Sequence, residues 1–241
     1  MKFILEVIGF TIEGCIIAQN AGANRIELCD NPQEGGTTPS YGFIKSAREK
    51  LNILLYPMIR PRGGDFVYSD DEFNIMKADI DVCKNFGCDG VVTGALIKNG
   101  RVDKKKCGWL VDHAYPLGVT FHRAFDRTAD PFQALEDIIE IGCERILTSG
   151  QRPAAPESAD LIKQLIEKAE DRIIIMPGAG VRADNIAEIA GKTKAVEFHT
   201  SAKKTLPGKM EYKNQEMDEA LESISVDEDE VKKIVRLLTD F

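Results

Sequence analysis

The run Gln19-Asn20-Ala21-Gly22-Ala23-Asn24-Arg25-Ile26-Glu27-Leu28 returns twice further along the chain. It comes back as Asn85-Phe86-Gly87-Cys88-Asp89-Gly90-Val91-Val92 and as Ile141-Gly142-Cys143-Glu144-Arg145-Ile146-Leu147. Each copy has a glycine where a helix ends, then a short polar turn, then the apolar run of a buried strand. Glycine suits the first place because helices commonly close on a left-handed residue. The copies lie about two βα units apart at roughly 30 residues per unit, which is one eighth of a barrel of about 250 residues.

Filling the gaps places eight strands near residues 3–8, 25–29, 54–59, 89–94, 118–122, 145–149, 172–176 and 195–199. Helices fall between them near 11–21, 40–50, 70–86, 103–114, 131–141, 157–169 and 183–190. Asp130-Pro131 offers an N-cap with proline at the first helical position, and Ser69 with Glu72 forms a capping box. Strict βα alternation implies a parallel sheet. An open doubly wound sheet is the alternative, but it does not call for eight regular units, and no GxGxxG follows the first strand. The expected fold is therefore α/β, a (β/α)8 TIM barrel forming a single domain over residues 1–241. After the eighth strand the pattern breaks. Residues 203–226 are polar, lack clear periodicity and contain Pro207-Gly208. A loop of that length is usually functional or disordered, so a lid over the barrel mouth and a disordered excursion fit equally. A last helix, about Asp227 to Leu238, gathers Val231, Ile234 and Leu237 or Leu238 on one face.

The net charge of −8 argues against nucleic acid or an acidic membrane as the main partner. A local arginine pair can still hold a small anionic molecule. Six cysteines, at 15, 29, 83, 88, 107 and 143, show no CxxC and no paired zinc spacing. They point to a reducing, cytoplasmic setting and not to a disulfide framework. No apolar run is long enough to span a membrane, and the N-terminal Phe3-Ile4-Leu5-Glu6 reads as a first strand and not as a signal peptide.

The apolar run Leu54 to Ile59 leads into Arg60-Pro61-Arg62-Gly63-Gly64-Asp65-Phe66. Two arginines thus stand where a strand ends and a loop turns. Such arginines suit bidentate recognition of carboxylate or phosphate; the plainer reading is a salt bridge to Asp65 or to a neighbouring glutamate. The segment Met58 to Phe66 resembles the CutC copper-homeostasis family. So do Arg25 to Cys29, Glu34 to Ser40, Thr120 to Asp126, Leu147 to Gly150 and Ile175 to Gly178, and the likeness runs to about Ala202. It implies copper homeostasis, Cu(I) binding and a homo-oligomer.

Barrel active sites form at the C-terminal ends of the strands. Those ends supply Glu6, Glu27, Cys29, Arg60, Arg62, Asp65, His122, Arg123, Asp126, Ser149, Glu197 and His199. Arg25, Glu27 and Cys29 share one strand face, as do Glu197 and His199. Ionisable groups inside a barrel are paired or functional, and an internal ion pair such as Glu27 with Arg60 is the structural alternative. Gly178-Ala179-Gly180 after the seventh strand and Ser201 after the eighth stand where barrels often bind phosphate. Glu27, His122 and His199 are the catalytic candidates. Glu6, Arg60, Arg62, Asp65, Arg123, Asp126, Ser149, Gly178, Gly180 and Ser201 are the ligand-binding ones. His113 lies late in a helix and reads as a capping charge. No strand end offers a lysine for Schiff-base chemistry, and no H-E-x-x-H occurs.

Soft thiolates select Cu(I). By the resemblance, Cys29 is the metal-ligand candidate, but Ile8 and Thr200 stand where relatives carry further cysteines. Two functions remain open: a copper-binding protein, and a barrel enzyme acting on a small anionic or phosphorylated metabolite. A barrel whose partner is another protein is a third.

Overall fold

The computed structural model describes residues 3–214, 216, 217 and 221–240. Residues 215 and 218–220 of the expected 203–226 loop lie outside the described residues, as do 1, 2 and 241 of the single-domain span. The chain runs β1 (Ile4–Gly9), α1 (Ile12–Asn20), β2 (Arg25–Leu28), α2 (Tyr41–Lys50), β3 (Leu54–Pro57), α3 (Asp70–Asn85), β4 (Gly90–Thr93) and α4 (Lys104–Ala114). It continues β5 (Gly118–Phe121), α5 (Pro131–Glu140), β6 (Arg145–Thr148), α6 (Ala159–Ala169), β7 (Ile174–Pro177), α7 (Ile186–Thr193) and β8 (Glu197–Thr200). Two further strands, β9 (Lys203–Leu206) and β10 (Ser223–Val226), precede α8 (Glu228–Thr239).

Hydrogen-bonded parallel ladders run β3-β2-β1-β8 and β4-β5-β6-β7. A parallel bridge of Met58 with Val92 ties the end of β3 to β4, where the Ile59 N–H donates to the Val92 carbonyl at 2.7 Å. β7 packs beside β8 and completes the (β/α)8 ring. Strand alternation divides the residues into two layers. Leu5, Val7, Ile26, Leu28, Leu55, Val91, Val119, Ile146, Ile175 and Phe198 join the continuous core under the helices. The opposite faces turn inward, and there Ile8, Cys29, Tyr56, Met58 and Val92 form a small apolar cluster.

Barrel interiors are usually filled by branched aliphatic side chains. This one is filled lower down by two arginines and a ring. The guanidinium groups of Arg25 and Arg145 lie 5.1 and 5.2 Å from the centroid of Tyr56. β4 makes room with Gly90, where a Cβ would fall 2.1 Å from that ring.

Most element ends fall within a few residues of the sequence expectation, and two differences bear on the site. Helix α7 starts at Ile186, three residues late, because Asn185 folds the chain before it into a turn. Its side chain accepts from the Arg182 N–H and donates to the Gly180 carbonyl. Residues 203–226 are not loop throughout. Their two ends pair as an antiparallel ribbon, Lys203 opposite Val226 and Leu206 opposite Ser223. Ser223, Ile224, Ser225 and Val226 alternate polar and apolar, and β10 lies against α1. In α8, Asp227 caps the N-terminus, and Leu238, not Leu237, faces the core with Val231 and Ile234.

Candidate functional site

The site stands on an ion-pair floor. The Glu6 carboxylate accepts from the Arg25 Nε–H and Glu197 accepts from the Arg25 Nη2–H at 2.6 Å. Glu197 also accepts from the Arg145 Nε–H at 3.1 Å. These four side chains are 0–9% exposed. Removing any partner would leave a buried charge with less than its full compensation, which is costly. The ion pairs expected inside the barrel thus exist, but they join Glu6 and Glu197 to Arg25 and Arg145, not Glu27 to Arg60.

On this floor sit Glu27 and His199. His199 Nδ1 lies 2.8 Å from Glu6 Oε1, and its Nε2 lies 3.7 Å from Glu27 Oε2. Burial would suppress the charged imidazole, but Glu27 and Glu6 outweigh it and raise His199 above its ordinary value. For Glu6 burial works upward, yet Arg25 and His199 prevail and hold the carboxyl at about 2. Glu27 goes the other way. Burial pushes it up to about 7, with the Glu6 charge adding to the rise and His199 and Arg25 opposing it. Its Oε1 is buried without a hydrogen-bond partner.

Above these groups opens a cavity of about 330 Å³ at the C-terminal mouth. Its apolar wall is Ile8, Phe10, Met58, Phe66, Leu147 and Ile224, and its polar lining includes Glu27, His122, His199 and Ser201. Three cations reach it: Arg60, Arg123 and Lys203. Arg123 is positioned by the loop after β5, where Asp126 accepts from its Nε–H at 2.8 Å and Ser149 Oγ accepts from its Nη2–H at 2.8 Å. Asp126 is itself held by Thr148 and by the N–H groups of Ser149 and Gln151. Among the described residues, Lys203 has no ion-pair partner. Ala179 and Gly180 border the cavity with φ of 66° and 73°. Among the described residues their N–H groups, and that of Ser201, make no hydrogen bond.

His122 forms part of the opposite wall. Its Nδ1 accepts from the Ala124 N–H at 3.3 Å, and its ring lies 4.9 Å from that of Phe66. Burial and then Arg60 lower it to about 3, so the ring is neutral across the physiological range.

The sequence candidates therefore separate. Glu27, His122, His199, Arg60, Arg123, Gly180 and Ser201 line one cavity. Glu6 lies beneath it, Gly178 packs against Leu147 and His199, and Asp126 and Ser149 stand behind Arg123. Arg62 and Asp65 do not join the lining. Arg62 donates to Glu72, to Asp65 Oδ1 and to the carbonyls of Gly63, Asp65 and Val67. Arg60 is also heavily engaged, donating to the Glu34, Gly36 and Gly64 carbonyls, and its Nε is left with no partner. Sequence reasoning missed Lys203 because it lies in the stretch expected to be loop. Arg145 was legible: it holds the same place in the third copy of the repeat that Arg25 holds in the first.

Two donor sets bear on a metal. Cu(I) favours thiolate and thioether sulfur. Cys29 is fully buried, and burial followed by the Glu27 and Glu6 charges drives its thiol well above the ordinary value. The other five cysteines are buried in the outer core. Met58 is the soft donor in the cluster that holds Cys29, so the sulfurs do not fit a two-thiolate centre. Glu6, Glu27 and His199 bring ligand atoms within 4.8 Å of one another. That is an oxygen and nitrogen set, ill matched to Cu(I), and Glu6 is already committed to Arg25 and His199.

The model of the CutC family matches residues 3–204. A CutC family protein of Chromobacterium violaceum is 51% identical over 213 residues, 88% of this chain and 86% of the relative. A human protein named copper homeostasis protein cutC homolog is 47% identical over 212 residues, 88% of this chain and 78% of the relative. The crystal structure of a CutC copper homeostasis protein from Streptococcus agalactiae superposes with a TM-score of 0.78 at 36% identity, covering 83% of this chain and 98% of that one. Thiamine phosphate pyrophosphorylase from Pyrococcus furiosus, with a TM-score of 0.62 at 14% identity over 99% and 96% of the two chains, shares the fold alone. The chain belongs to the CutC family.

Proposed function

We propose that this member of the CutC family is an enzyme that binds a small anionic metabolite at the barrel mouth and moves a proton with Glu27. One observation carries the reading: a fully buried carboxyl, unpartnered at Oε1 and poised near 7, faces a cavity rimmed by Arg60, Arg123 and Lys203. Buried carboxyls shifted toward neutrality beside a charged partner are what acid–base chemistry needs. Glu6 and His199 are positioning residues that set the charge next to Glu27. Arg123 and Lys203, with the N–H groups of Ala179, Gly180 and Ser201, receive the anion. The reading also takes a cytosolic homo-oligomer, which cell fractionation and sedimentation check. Copper enters through the names of relatives. Cu(I) binding at Cys29 is a second reading, favoured by the position of Cys29 beside Met58 and opposed by its buried, protonated thiol.

Calorimetry with inorganic phosphate tests the main reading. Wild-type protein and Arg62→Ala bind alike, whereas Arg123→Ala and Lys203→Ala each weaken binding by about tenfold or more, the loss expected for a charged hydrogen bond. Equal binding by all four proteins, or none by the wild type, would remove the anion site from the mouth.

A further inference from the structure

We propose that the mouth catalyses enolisation of a small phosphorylated carbonyl compound: Glu27 removes the proton from the carbon next to the carbonyl, and His122 Nε2–H holds the oxygen that becomes negative. This rests on the anion-binding reading above and names its substrate class and reaction. Among the described residues, five buried side-chain polar atoms lack a hydrogen-bond partner. Three of them, Glu27 Oε1, His122 Nε2 and Arg60 Nε, belong to residues that line this one cavity. Such atoms are costly to bury unmatched, and the cavity these three residues share is where a polar ligand would complete them.

The chemistry of each atom follows from its surroundings. The Ala124 N–H donates to His122 Nδ1, so that nitrogen carries the lone pair and the neutral ring carries its proton on Nε2. His122 therefore offers the cavity a neutral N–H. A donor of this kind interacts more strongly with an oxygen that gains charge than with a ground-state carbonyl, which is the differential that lowers a barrier. The ring is fixed. Phe66 packs on it, Arg60 lies 5.0 Å from the Phe66 centroid, and Gly94 backs it so closely that a Cβ there would lie 2.8 Å from Nδ1. Arg60, whose guanidinium and the His122 ring both pack on Phe66, offers its Nε–H as a second donor. Among the described residues Glu27 is the one carboxylate lining the cavity, and its Oε1 has no hydrogen-bond partner in the protein.

The step balances without a redox partner. The C–H bond breaks, its electron pair forms the carbon–carbon π bond, and the carbonyl π pair moves onto oxygen. The proton rests on Glu27 until it returns to carbon. The phosphoryl group takes no part in bond changes and serves as the handle for Arg123 and Lys203.

Calorimetry with three probes tests the proposal: phosphoglycolohydroxamate, which mimics an enediolate; glycerol 3-phosphate, which has the phosphate and no carbonyl; and inorganic phosphate. The hydroxamate is expected to bind wild-type protein at least about tenfold more tightly than glycerol 3-phosphate, as an intermediate mimic should. His122→Phe keeps the packed ring and removes the N–H, so it should erase that advantage while inorganic phosphate still binds. His122→Leu, which also lacks the donor, serves if His122→Phe fails to fold. Equal affinity of the two organic phosphates for wild-type protein, with phosphate binding intact, would overturn enolisation and leave the anion site standing. Failure of inorganic phosphate to bind would overturn both.

Discussion

Glu27 and Glu6 are both fully buried carboxyls, and they contribute oppositely to stability. The folded Glu27 carboxyl, at about 7, lies above its ordinary 4.5. Its contribution is therefore fully present below about 4.5 and is lost as pH rises through 7. The groups that face it are Glu6 on β1, Arg25 on β2, Cys29 just after β2 and His199 on β8, with Arg60, His122, Arg123 and Lys203 across the cavity. Glu27→Gln should accordingly gain stability over wild type between about pH 5 and pH 8, by up to about 3 kcal/mol in urea unfolding; a pH-independent difference would mean that Glu27 titrates alike folded and unfolded. Glu6, held at about 2, gives stability that is present above about 4.5 and lost as pH falls toward 2. Glu6→Gln leaves the buried Arg25 with Glu197 alone, and at neutral pH it should cost about 3–5 kcal/mol. A cost under about 1 kcal/mol would show that water reaches the floor.

At the scale of elements, the loop between β3 and α3 separates two arginines that look equivalent in sequence. Arg60, three residues beyond β3, continues the inward parity of Tyr56 and Met58 and so reaches the cavity; Arg62 lies two residues further on and is drawn to the N-terminus of α3. There Ser69 and Glu72 form the capping box, and Glu72 accepts from both the Ser69 N–H and the Arg62 Nε–H. Arg62→Ala should lower the melting temperature by a few degrees, as a loss of about 1 kcal/mol does, without changing phosphate affinity; weakened phosphate binding would instead put Arg62 in the site. The helices and strands were legible because period and caps agree, as at Asp130-Pro131 and Ser69. The ribbon of β9 and β10 was not, because Lys203-Lys204-Thr205-Leu206 shows no alternation and the short alternating run of β10 is cut off from it by the polar stretch between them. Lys203 was missed for that reason.

Across the whole molecule, eight repeats of one unit give the barrel, and the repeat itself was visible in Gly22, Gly87 and Gly142. What no repeat could convey is which inward groups pair. Glu27 lies on β2 and Arg60 just beyond the end of the neighbouring β3, yet Arg60 is taken by the loop carbonyls of Glu34, Gly36 and Gly64, contacts that depend on how two loops cross. The six cysteines are buried in this fold. In native protein they should react slowly with an aromatic disulfide reagent, with all six reacting after unfolding, and the native chain should not compete with a Cu(I) chelator. Stoichiometric Cu(I) binding that disappears in Cys29→Ser would favour the copper reading and show that Cys29 becomes accessible.

The carboxyl of Glu27 is the centre on which these arguments meet, and its titration can be followed directly by carbon NMR of protein labelled at glutamate side-chain carboxyls. The spectrum of Glu27→Gln identifies its resonance. A midpoint near 7, moving upward when inorganic phosphate is added, is the expected result. A midpoint near the ordinary 4.5, unmoved by phosphate, would contradict the assignment of Glu27 as the group that transfers the proton.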